Sequence, residues 1–94
     1  MRPRDTYVSR DERFSLGIDE DSGTPYLSFP VSSAAADYEE FYRLTGAQYE
    51  DFLASPARAL PFLASARRRQ RDDLLLQRPG WNRGTPMGPL PPAG

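Results

Sequence analysis

Residues 38–54 read Tyr38-Glu39-Glu40-Phe41-Tyr42-Arg43-Leu44-Thr45-Gly46-Ala47-Gln48-Tyr49-Glu50-Asp51-Phe52-Leu53-Ala54, and the way they divide decides the fold. Tyr38, Phe41, Tyr42, Tyr49, Phe52 and Leu53 fall at helical spacing, so a single helix over the whole stretch is arguable. Two features argue for a break. The aromatic density of residues 38–42 favours a strand. Thr45-Gly46-Ala47-Gln48 has the form of a capping box, with Thr45 accepting from the backbone N–H of Gln48. The stretch is therefore read as a strand ending at Leu44 and a helix over 46–54, with Tyr49, Phe52 and Leu53 on one face.

Towards the N-terminus the period changes to two. Phe14, Leu16 and Ile18 alternate with Arg13, Ser15 and Asp19, and Gly17 is a candidate bulge. Asp19-Glu20-Asp21-Ser22-Gly23-Thr24-Pro25 supplies turn chemistry for a hairpin loop. The following strand places Leu27, Phe29 and Val31 inward and Tyr26 and Ser28 outward. Pro30 has no N–H to give to a ladder, which predicts a strand edge or end near it. Thr6-Tyr7-Val8-Ser9 is a further strand candidate among charges.

Towards the C-terminus, Ser55-Pro56 is a helix start. A helix over 56–71 would bury Ala59, Leu60, Phe62, Leu63 and Ala66, with Pro61 expected to kink it. Arginines in the last turns suit the helix dipole, and Leu74–Gln77 could return to the sheet as a short strand. Five prolines and four glycines among residues 77–94 predict a disordered, extended tail. The fold expectation is one α+β domain over residues 1–76: a small antiparallel β-meander, two C-terminal helices packed on one face, and a Pro/Gly-rich tail over 77–94.

The totals exclude several chemistries. Ninety-four residues support one domain, burying about 60% of the unfolded surface. With no cysteine and no histidine, the chain has no thiol nucleophile, no disulfide and neither of the usual metal ligands. Glu39 and Glu40 are sequential, so in a strand they face opposite sides and cannot act as an acid/base pair. No glycine-rich phosphate loop precedes a helix. The expectation is a non-enzymatic protein without cofactor or metal. No stretch is long and apolar enough to cross a bilayer, and a cytoplasmic location is expected.

The net charge of −1 hides a division. Residues 1–53 carry five arginines and eleven acids, and residues 54–94 carry seven arginines and two acids. Two surfaces follow. The acidic one, Asp19, Glu20, Asp21, Glu39 and Glu40 with Tyr42 beside them, suits a basic protein partner; it lacks the spacing of a calcium loop. The basic one, Arg67, Arg68, Arg69 and Arg71 followed by Trp81, suits nucleic-acid phosphates and base stacking. It equally suits a solvated helix end, and a pI near 5.3 argues against a dedicated nucleic-acid binder.

Gly17-Ile18-Asp19-Glu20-Asp21-Ser22-Gly23-Thr24-Pro25-Tyr26-Leu27-Ser28-Phe29-Pro30-Val31-Ser32 resembles a group of small bacterial proteins. So do Asp37-Tyr38-Glu39-Glu40-Phe41-Tyr42-Arg43-Leu44-Thr45 and the run from Arg71 to Gly84. Some members of that group are similar in size and charge to immunity proteins of polymorphic toxin systems. The resemblance implies no activity and no catalytic residues, and it favours a binding role. The leading expectation is a protein-binding module, in its concrete form an immunity-type inhibitor. The alternatives are a nucleic-acid-binding or regulatory protein acting through Arg67–Arg71, and a subunit of a homo-oligomer or larger complex that uses an exposed sheet edge.

Overall fold

A computed structural model of the chain describes residues 1–33, 37–78 and 83–87. The meander has four long strands in chain order: β1 (Pro3–Ser9), β2 (Phe14–Asp19), β3 (Pro25–Ser32) and β4 (Tyr38–Arg43), all antiparallel. Residues 38–43 are thus strand. Helix α1 (Gly46–Ala54) begins where the capping box places it: Gln48 N–H donates to Thr45 Oγ1 (3.1 Å), and Thr45 N–H donates to Gln48 Oε1 (2.9 Å).

The second helix differs from the expected 56–71. A 3-10 turn, Pro56–Ala59, precedes helix α2 (Leu60–Arg67). The break puts Pro61 in the first turn of α2, where its missing N–H has no intrahelical acceptor to lose. No kink is needed. At the other end Arg69 adopts φ 61°, Gln70 N–H donates to Ser65 O and Arg69 N–H donates to Ala66 O. These paired bonds form a Schellman stop, with arginine at the left-handed position that glycine usually fills. The arginine run therefore turns off the helix after Arg67.

Both helices lie on one face of the sheet, as the sequence implied. The core between them joins Leu16, Leu27, Phe29, Val31 and Tyr42 to Phe52, Phe62, Leu63 and Ala66. Gly17 is not a bulge; the register shift lies opposite, in β1 between Asp5 and Tyr7. Gly17 is small because the Arg4 carbonyl and the Tyr26 ring both close on it: an added Cβ would collide with each.

After α2 the chain returns to β4 through a 3-10 turn, Asp72–Leu74, one bridge between Leu75 and Tyr42, and a bond from Leu76 N–H to Phe41 O. The expected strand over 74–77 is reduced to this contact. The larger departure is in the tail. Residues 83–87 lie against the sheet, where β5 (Thr85–Pro86) pairs with Ser32 and Val31 of β3. Met87 N–H donates to Pro30 O. A strand residue presents its nitrogen and carbonyl to the same side, so the proline nitrogen faces this short segment, beyond the last β2 pair of Ser15 with Ser28. Pro30 thus sits in a central strand at a point where no ladder donor is required.

Candidate interaction surface

The six acidic-surface positions divide by strand alternation and turn chemistry. Asp19 closes the β2–β3 turn from a buried position. It accepts from Ser22 Oγ (2.6 Å), from the backbone N–H of Arg2 (2.9 Å) and from that of Asp21 (3.2 Å). The Ser22 bond and then the Arg2 amide hold its carboxyl below the ordinary value. Asp21 is lowered by Arg2, whose Nε lies 2.6 Å away, and Glu20 stands 3.7 Å from Arg4. The loop's acids are therefore compensated from the start of β1. Glu39 and Glu40 face opposite sides of β4: Glu39 is exposed, Glu40 buried. Tyr42, two residues on, is buried beside Glu40. Glu20, Asp21 and Glu39 are accessible to a partner; Asp19, Glu40 and Tyr42 are internal.

Glu40 and Tyr42 belong to a buried polar network that the tail completes. Arg83 forms two hydrogen bonds to Glu40 (Nε to Oε2, 2.8 Å; Nη2 to Oε1, 3.0 Å) and two to Asp72 (2.7 and 2.9 Å). Tyr42 donates to Glu40 Oε1 at 2.7 Å. Burial alone would raise the Glu40 carboxyl, but the bonds from Arg83 and Tyr42 outweigh it and leave it below its ordinary value. No period or motif in the sequence pairs Arg83 with Glu40. Arg83 lies in a Pro/Gly-rich segment, and only the fold brings it to Glu40.

The arginine cluster is dispersed. Arg67 turns inward, 5.8 Å over the Phe29 ring, and its Nη2 donates to the carbonyls of Glu12 (2.6 Å), Arg13 (3.4 Å) and Met87 (3.4 Å). Arg69 donates to Gly84 O at 2.8 Å. Arg71 donates to Ser65 Oγ and lies over the Phe62 ring. The Arg68 guanidinium alone of the four has no hydrogen-bond or ion-pair partner among the described residues. Trp81 lies outside the described residues. No described helix is long and apolar enough to cross a membrane.

None of the described helices packs over the opposite face of the sheet. Register fixes its composition. Val8, Ser15, Ser28 and Phe41 form one row across the four strands, and Asp5, Gly17, Tyr26 and Arg43 form the next. Tyr26 donates to Asp5 Oδ1 at 2.6 Å and meets Phe41 edge-on at 5.0 Å. This bond, after burial, raises the Tyr26 hydroxyl well above its ordinary value. Ser28 Oγ is buried here without a hydrogen-bond partner among the described residues. Val8 is 56% exposed, an apolar side chain left open on a sheet face.

Between this face and the β1–β2 turn lies a groove of about 370 Å³, lined by Val8, Arg10, Arg13, Ser15, Pro30 and Glu39 among others. Desolvation, and then the charge of Asp5, raise the Glu39 carboxyl. Among the described residues no cation pairs with it. Outward alternation of Ser15 was visible in the sequence; that Val8, Arg10, Arg13 and Glu39 would meet there was not, because it depends on strand pairing. No family model, curated protein or solved structure matches this chain.

Proposed function

We propose that the chain is a non-catalytic protein-binding module that meets its partner through the open Val8 edge of the sheet face over which no described helix packs. One observation carries this reading: the described helices pack on one side only, and the other side presents an exposed Val8 with half-buried Pro30 and Phe41 between charged groups of both signs. An apolar strip rimmed by charge is the usual composition of an interaction surface. Glu39, beside Pro30 in the register, is the acidic part of the rim, so the partner offers a cation opposite it. Inhibition by occlusion, as in an immunity-type protein, is the specific form of the proposal. It requires a surface and no chemistry.

The test is capture from lysate of the native cells, treated with nuclease, with the unaltered chain and with Val8→Arg as baits. A stoichiometric protein retained by the first and lost by the second supports the proposal. Retention by both, with the variant folded by circular dichroism, overturns it. Once the partner is in hand, Glu39→Lys should slow association and flatten its salt dependence.

A further inference from the structure

We infer that the groove at the β1–β2 turn receives a carboxylate from an acidic residue flanked by an apolar one, on an extended segment of the partner. The inference rests on the reading above and names the chemistry that the partner presents there.

Three observations support it. The first is charge. Arg10 and Arg13 both line the groove, and neither guanidinium has a hydrogen-bond or ion-pair partner among the described residues. Guanidinium forks match carboxylates in geometry as well as sign. The second is the conformation of the turn. Arg13 holds φ 55°, a left-handed backbone that costs an ordinary side chain roughly 1–2 kcal/mol. Glycine would relieve this strain but would remove the second cation that arginine supplies. The strained turn is held from behind: Arg67, reaching up from α2, bonds the carbonyls of Glu12 and Arg13. The two groove arginines are thereby carried on a backbone fixed before any ligand arrives, which lowers the ordering cost of binding.

The third observation is shape and polarity along the groove. Its volume of about 370 Å³ lies within the range of ligand-sized clefts. Val8 and Pro30 provide an apolar wall beside the cations, suited to the flanking apolar residue. Glu39 closes the far end with the same sign as the ligand, so the acid is directed towards the turn and a neutral or cationic group towards β4.

The test is an NMR titration of the ¹⁵N-labelled full chain with acetyl-Leu-Asp-amide and acetyl-Leu-Asn-amide, with acetate and inorganic phosphate as free-anion probes. The Asp peptide should move the amide signals of Val8 and of residues 10–15. The Asn peptide should bind about tenfold more weakly, the loss expected for a charge-assisted hydrogen bond. Arg10→Gln combined with Arg13→Gly should abolish the Asp response. Arg13→Gly alone should leave thermal stability equal or higher, so a lost response is not misfolding. Equal binding of the two peptides, full retention by the double variant, or acetate or phosphate matching the Asp peptide would each overturn the inference. If Val8→Arg still abolishes capture while the peptides fail, this inference falls and the protein-binding reading stands. If capture ignores Val8→Arg, that reading falls instead.

Discussion

Arg83 and Glu40 face each other through two hydrogen bonds of 2.8 and 3.0 Å, with 13% and 4% of their side chains exposed. The pair fastens a tail residue to the middle of the sheet, 43 positions away in sequence. Breaking such a pair from one side leaves a buried charge uncompensated, which costs about 3–5 kcal/mol. Arg83→Ala should therefore strongly destabilise the fold. Removing both charges together is a different experiment. Glu40→Gln with Arg83→Met should recover much of the loss, and urea unfolding of the two variants and the double variant measures the coupling. Additive losses would show that the pair does not act as a unit.

Acid should act on the same network. Hydrogen bonds from Arg83 lower the Asp72 carboxyl and, with Tyr42, more than offset the burial of Glu40. A carboxyl lowered in the folded state stabilises the fold above its unfolded value of about 4 and ceases to do so as pH falls through the folded value. Stability should be flat near neutral pH and decline below about pH 4. In the Glu40→Gln, Arg83→Met variant that decline should be shallower. Thermal unfolding from pH 7 to pH 3 checks both slopes.

Glu39 should show the opposite sign. Its carboxyl is raised by desolvation and by Asp5, so ionisation opposes folding above its folded value and has no effect once pH is below the unfolded value. Glu39→Gln should raise the melting temperature at pH 7, and the gain should vanish near pH 4. A bound partner that supplies a cation should also remove it. Equal melting temperatures at pH 7 would show that Glu39 is not desolvated.

The meander, the capping box and the packing of both helices on one face were legible because local pattern and tertiary structure agree there. Leu16, Leu27 and Phe29 alternate as strand residues and are buried as such. The division at Thr45 rests on bonds between residues three apart, which sequence spacing reveals. Legibility ends where the determinant is long-range or locally unfavourable. Arg69 at a left-handed helix stop has no sequence signal, since glycine is the residue expected there. Tyr26 and Ser28 are outward by alternation, yet both are fully buried. Tyr26 folds down over Gly17, a contact made possible by cross-strand register rather than by local order. Arg10, Arg13 and Glu39 become one site only after β1 to β4 have paired.

The left-handed arginine at the helix stop permits a two-part prediction. Arg69→Gly removes backbone strain but also removes the bond from Arg69 Nη2 to Gly84 O. The first effect favours folding by up to about 1 kcal/mol and the second opposes it by a similar amount. Global stability should change little. Local stability should not: the amides of Gly84, Thr85 and Met87 should exchange faster with deuterium than in the unaltered chain. Unchanged exchange there would show that Arg69 does not hold the tail.

Arg67 and Arg68 are adjacent, and their substitutions should separate a structural role from a nucleic-acid role. Arg67 donates into the fold from a position whose burial lowers its own basicity. Arg67→Met keeps an apolar stem beside Phe29 but leaves the carbonyls of Glu12 and Met87 without this donor. A loss of about 1–3 kcal/mol is expected. The β1–β2 turn should loosen with it, so the response of the groove to the Asp peptide should weaken although Arg67 lies on the other face. Arg68→Ala removes an exposed charge and should change stability by less than about 0.5 kcal/mol. If the cluster served phosphates, Arg68 would matter most to nucleic-acid binding, because its guanidinium is the least committed. Fluorescence anisotropy with single-stranded DNA at low salt distinguishes the two. The fold assigns Arg67 to stability, and no salt-dependent affinity sensitive to Arg68→Ala is expected.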